Sequence, residues 1–213
     1  MAYDFNGTNQ YLSVVSAPAT AVPLTLACWF FPDTITANYN LFQINDGSDS
    51  NRFGLAALGG LAGDPIRAFV QSSSSSSQSD TTTGFSSGIW QHACGVFSAN
   101  NSRTVYLNAA NPATSTTTTT PSGLNKVEIA FRTAAGTPGL FLDGRLAEVG
   151  IWNAALTAAE VASLAKGMTC DKIRPQNLVF YAPLVRDLID QKGGLTITNN
   201  NSATAATHPR VYA

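Results

Sequence analysis

Charge is what this sequence has least of. Only 12% of its 213 residues are Asp, Glu, Lys or Arg, about half the usual share for a globular chain. The net charge is −1, so neither nucleic acid nor an anionic membrane is an expected partner. Long apolar runs are missing too, and nothing approaches the roughly 18 apolar residues that begin to suggest a membrane span. The opening residues, Met1 to Phe5, contain no basic segment and no apolar stretch, so no signal peptide is expected.

Cysteine is scarce. Cys28, Cys94 and Cys170 stand too far apart in sequence for a zinc module. Cys28 and Cys94 fall inside strand-like runs and read as buried free thiols, which suits synthesis in a reducing cytoplasm. Paired carboxylates are missing as well. Retaining glycoside hydrolysis needs two carboxyl groups about 5–5.5 Å apart, a separation that alternate residues of one strand supply. Among the 13 acidic residues no two are spaced i, i+2, and the pairs Asp46/Asp49 and Asp187/Asp190 stand three apart in expected loops.

A nucleophile with its base is equally hard to find. His92 and Cys94 share a strand face, yet no third group orients them. The pair reads as a strand histidine beside a core thiol. His208-Pro209 reads as a packing or turn element, and Gly59-Gly60 and Gly193-Gly194 as turns rather than phosphate cradles. No catalytic, cofactor-binding or metal-binding residue is assigned, and an enzyme is not expected.

What the chain does have is a core. Hydrophobic residues make up 44%, and they alternate in short runs typical of strands. These are Tyr11–Val15, Leu24–Phe31, Tyr39–Asn45, Phe53–Leu58, Ile66–Gln71, Ile89–Ser98, Thr104–Asn108, Lys126–Phe131, Leu178–Leu184 and Leu195–Thr198. In Leu24–Phe31 both faces are apolar, which predicts a central strand. The runs Leu140–Leu142 and Arg145–Trp152 are separated by Asp143-Gly144, a turn dipeptide. The period then lengthens to that of one short helix. Thr157-Ala-Ala-Glu160 is a capping box, Leu156 and Val161 form a hydrophobic staple, and Gly167 is the C′ residue. Ser72–Ser77 reads as the tip of a hairpin, and Thr116–Thr120 as an edge strand or exposed loop.

Four segments in order resemble the laminin-G-like, concanavalin A-like lectin/glucanase jelly roll. They are DFNGTNQYL at 4–12, LTLACWFFPD at 24–33, WQHACGVFSANNSRTVYLN at 90–108 and the run from Gly144 to Leu164. The resemblance implies an all-β, two-sheet antiparallel sandwich with one short helix. It also bears on cofactors. The position where such domains often carry a calcium-binding Asp is Ala147 here, leaving Asp4, Asn6 and Glu148 as oxygen donors. A hard cation depends on ligand charge, so no calcium is expected. Lectins of this fold bind sugar through loop aromatics and amides, and Tyr39, Asn45, Asp46 and Arg52 are the candidates. Each also reads as an ordinary strand-end or turn residue, and no sugar site is assigned.

The tail carries a second resemblance. Leu178–Leu184 is similar to a strand that usually precedes the opening strand of such domains, so the chain reads as circularly permuted, with 178–213 completing one domain of 1–213. That permuted order should set Leu178–Leu184 beside the Tyr11 strand or its sheet neighbours. Its ending, His208-Pro-Arg-Val211, resembles single-domain virion proteins of tailed bacteriophages. This implies a non-enzymatic virion protein that decorates or stabilises the particle, with other virion proteins and further copies of itself as partners. The alternative is a carbohydrate-binding adhesion module of a fibre.

Overall fold

The computed structural model describes residues 1–134, 136–185 and 187–212. In chain order its first strands are β1 (Ala2–Asn6), β2 (Tyr11–Val14), β3 (Leu24–Pro32), β4 (Asn38–Asn45), β5 (Arg52–Leu58) and β6 (Pro65–Ser72). Next come β7 (Ser75–Gly84), β8 (Gln91–Ala99), β9 (Ser102–Leu107), β10 (Ala110–Ser115), β11 (Lys126–Ile129), β12 (Arg132–Ala134) and β13 (Thr137–Gly139). The chain ends with β14 (Asp143–Trp152), helix α1 (Ala158–Ala165), β15 (Leu178–Ala182), β16 (Thr198–Asn200) and β17 (Thr204–Ala206).

Two antiparallel sheets stack as a sandwich. The first runs β10-β9-β8-β3-β14-β1-β17, with β15 also paired to β14; the second runs β16-β2-β11-β4-β5-β6-β7. As the sequence predicts, β3 is central, flanked by β8 and β14. Its Leu24, Leu26, Cys28 and Phe30 enter the core between the sheets, while Ala27 packs on the opposite side. Burying side chains of this size contributes about 1.5–3 kcal/mol each. Among the described residues no helix is long and apolar enough to cross a membrane.

The two outer faces differ. That of the first sheet is covered by α1 and the segment after it, where Trp152, Val161, Leu164, Cys170 and Tyr181 form a second cluster. The capping box holds α1 at this place: Thr157 Oγ1 accepts from the Glu160 amide and the Glu160 carboxylate accepts from the Thr157 amide. Leu156 and Val161 are both buried in that cluster, and Gly167 ends the helix with φ 98°. The outer face of the second sheet is covered unevenly: the outward residues Gln43, Arg52 and Ala56 of β4 and β5 are buried, with the small β12–β13 hairpin packed near them, whereas Arg67 and Phe69 of β6 are half-buried.

Two expectations fail locally, and a third holds with sharper bounds. Asp143-Gly144 is not a turn: both residues belong to β14, where they pair with Asn6 and Phe5 of β1, and Gly144 with Pro32 of β3. A side chain at Gly144 would stand 2.9 Å from the Pro32 Cα, so glycine here permits a close strand approach. The Ser run does tip a hairpin, between β6 with Ala68 and β7 with Thr82; the turn itself is confined to 73–74, and Ser72 pairs with Ser75. Leu178–Ala182 pairs with β14, not beside the Tyr11 strand, whose neighbours are β11 and β16. The tail is nonetheless part of the core, with Phe180, Ala182 and Leu184 fully buried.

Candidate functional site

Strand alternation builds the site on the second sheet's outer face. Along β5, Phe53, Leu55 and Ala57 enter the core, which turns Arg52, Gly54 and Ala56 outward. Along β6, Ile66, Ala68 and Val70 go in, and Arg67, Phe69 and Gln71 go out. Register sets Arg52 opposite Gln71 and Gly54 opposite Phe69. The resulting groove has a volume of about 230 Å³, below the roughly 300–1,000 Å³ typical of sites for drug-sized ligands. Phe69, Ala56, Leu58 and Leu140 give it apolar surface, and Arg52, Arg67, Arg132, Gln71, Gln78 and Asn40 its polar groups.

The arginines are held from behind. Arg67 Nε and Nη2 donate to the two Asp80 oxygens at 2.6 Å each. Arg132 makes the same forked contact with Asp49, Nε at 3.0 Å and Nη2 at 2.6 Å. Asp49 also pairs with Arg52, which donates through Nη2 to Gln71 Oε1 at 2.5 Å. The Arg52 guanidinium lies 5.0 Å from the Phe69 ring centroid, within cation–π range. Burial first, and the Arg132 charge second, push the Arg52 pKa down to about 10. It is still a cation at neutral pH.

The sequence candidates separate under this geometry. Arg52 lines the groove. Tyr39 is buried and bonded to Thr34. Asn45 and Asp46 brace the β4–β5 turn, Asn45 accepting from the Gly47 amide at 2.7 Å and Asp46 from the Ser48 amide at 2.9 Å. Their side chains shape the loop that presents Asp49. Arg67, Phe69, Gln71 and Arg132 were not singled out by sequence. The outward alternation of 67, 69 and 71 was readable; the junction of Arg132 with Asp49 was not.

Of the oxygen donors considered for calcium, Asp4 and Asn6 line one shallow hollow with Asp33 and Asp143, and Glu148 is engaged elsewhere. Glu148 accepts from the Tyr181 hydroxyl at 2.7 Å and stands 3.3 Å from His208 Nε2. Asn6 Oδ1 is engaged by the amides of Thr8, Asn9 and Gln10, and Asp4 lies near Arg145 at 3.8 Å. Among the described residues no three His, Cys, Asp or Glu side chains form a metal cluster. His92 and Cys94 are both buried; desolvation pushes the imidazole down to about 3 and the thiol up. A neutral ring beside a protonated thiol is not an activated nucleophile. Asp190 is buried too, accepting from the amides of Tyr181, Lys192 and Gly193.

Comparison with known proteins bears on the fold. The chain belongs to the concanavalin A-like lectin/glucanases superfamily, whose model matches residues 6–162. Among solved structures, a heptameric SAP-like pentraxin from Limulus polyphemus has a TM-score of 0.65 at 18% identity, over 95% of this chain and 93% of the pentraxin. A putative carbohydrate binding protein from Bacteroides ovatus gives 0.63 at 16% identity, over 96% of this chain and 61% of that one. The CBM40 of Ruminococcus gnavus IT-sialidase, bound to α2,3-sialyllactose, gives 0.61 at 10% identity, over 78% and 98%. At such identities the likeness is one of fold. No curated protein matches the sequence.

Proposed function

We propose that this protein is a non-catalytic glycan-recognition module and that it binds through the groove on its second sheet. One observation carries the reading. The groove joins guanidinium and amide donors to an apolar floor at Phe69, the pairing a sugar needs for its hydroxyls and its C–H faces. The names of the neighbours support it, since they include a putative carbohydrate binding protein and a sialyllactose-bound module. Catalysis is disfavoured because no carboxylate is among the residues lining the groove, and the aspartates paired with its arginines, Asp49 and Asp80, are each clamped. A clamped carboxylate is a poor acid for a glycosidic leaving group.

The setting follows from the C-terminal resemblance: an adhesion module on a phage particle, present in several copies. Multiple copies raise avidity without new contacts, and the Limulus pentraxin of this fold is heptameric. The test is a broad glycan array with purified protein, repeated with Ala56→Trp, which fills the groove and removes no polar group. Saturable binding lost in that variant, at an unchanged melting temperature, is the expected result. Absence of saturable binding to any glycan refutes the reading.

Particle decoration is the second reading, favoured by the charge-poor composition, which lowers long-range repulsion between copies. It expects particles lacking the protein to break under heat or osmotic shock. Intact particles that fail to attach to cells decide for adhesion.

A further inference from the structure

We propose that the groove selects glycans that carry a carboxylate; the inference rests on the glycan reading above. The charged side chains lining the groove are Arg52, Arg67 and Arg132, and no carboxylate lines it. Behind them the balance is uneven. Among the described residues Asp80 serves Arg67 alone, but Asp49 serves both Arg52 and Arg132. Asp46 acts on Arg52 as well, and Glu128 on both of these cations. Its oxygens are taken by Gln43 and Thr133, at 2.6–2.9 Å, and it does not line the groove.

The donors tell the same story. Arg67 and Arg132 each commit Nε and Nη2 to an aspartate. The two Nη1 groups have no hydrogen-bond acceptor among the described residues. Arg52 is more than nine-tenths buried, and its Nε has no hydrogen-bond partner. Guanidinium edges of this kind match the planar, two-oxygen carboxylate better than a single hydroxyl. A bound carboxylate also relieves the repulsion between Arg52 and Arg132, which a neutral sugar cannot do. The apolar floor then receives the ring that carries the acid.

The experiment uses the full chain on an array of neutral, uronate-, nonulosonate- and sulfate-bearing oligosaccharides. The strongest carboxylated probe is then compared by calorimetry with its carboxyl-reduced form, and with Arg67→Gln and Arg132→Gln. Each change should weaken binding about ten- to hundredfold, the loss of one charge-assisted hydrogen bond or two. The reduced probe tests the idea on unmodified protein, so a variant that folds poorly leaves the result intact. Equal binding of both forms overturns carboxylate selection and leaves glycan recognition standing. Binding confined to sulfated probes overturns it likewise. If no probe binds, the glycan reading falls with it.

Discussion

Phe69 lies over Gly54, so close that a β-carbon on Gly54 would stand 2.9 Å from the Phe69 Cε1 and closer still to Cζ. The missing side chain lets the ring settle against the sheet as the floor of the groove. Gly54→Ala should therefore lift or tilt the ring and cost about 1–3 kcal/mol through overpacking. Glycan affinity should fall with it. Parental affinity in calorimetry would show that the floor does not depend on this contact.

Arg103 is almost fully buried and has no carboxylate partner among the described residues. It donates to Ser77 and Ser115 on two different sheets, and to the carbonyls of Asn100 and Thr117 at 2.9 and 2.6 Å. It thus stitches the Ser-rich β7 and the Thr-rich loop to the edge of the first sheet. Arg103→Met should destabilise the fold by about 3 kcal/mol, because buried oxygens lose their donors. Urea denaturation measures this; a shift under about 0.5 kcal/mol, the scale of an ordinary surface substitution, would contradict it.

His92 makes stability depend on acid. The unfolded ring takes up a proton as pH falls through about 6.5, whereas the buried ring resists until about 3. Protons then favour the unfolded chain, so stability is full above about 6.5 and drains away as pH falls towards 3. The loss is on the order of a few kcal/mol. His92→Gln should lose less stability than the parent between pH 7 and pH 4. Parallel pH profiles in chemical denaturation would count against this assignment.

Thr157→Ala should cost about 1 kcal/mol, since it removes the acceptor for the Glu160 amide. An unchanged denaturation midpoint would mean that packing alone holds α1.

Much of the fold could be read from local pattern. The two apolar faces of β3 announce a central strand, and the capping box locates α1 because its chemistry lies within four residues. Where neighbours outvote local preference, the reading misleads. Asp143-Gly144 has turn chemistry, yet β1 and β3 hold it flat between them. Ser75–Gly84 has little strand propensity but pairs along β6 and is bonded by Arg103, so context overrides composition. The groove was least legible. Arg132 and Asp49 are 83 residues apart, and no spacing rule joins them.

The tail's strands set the order in which the molecule is completed. β15 borders β14, β16 borders β2 and β17 borders β1, so that Ala2 meets Ala206. Synthesis delivers β1 and β2 well before their partners β17 and β16. Contacts so distant in sequence slow folding, and until they form the edges of both sheets stand open to other chains. A nascent copy is therefore most vulnerable to aggregation before β16 and β17 emerge, and a chain stopped at Gln176 would carry that vulnerability permanently.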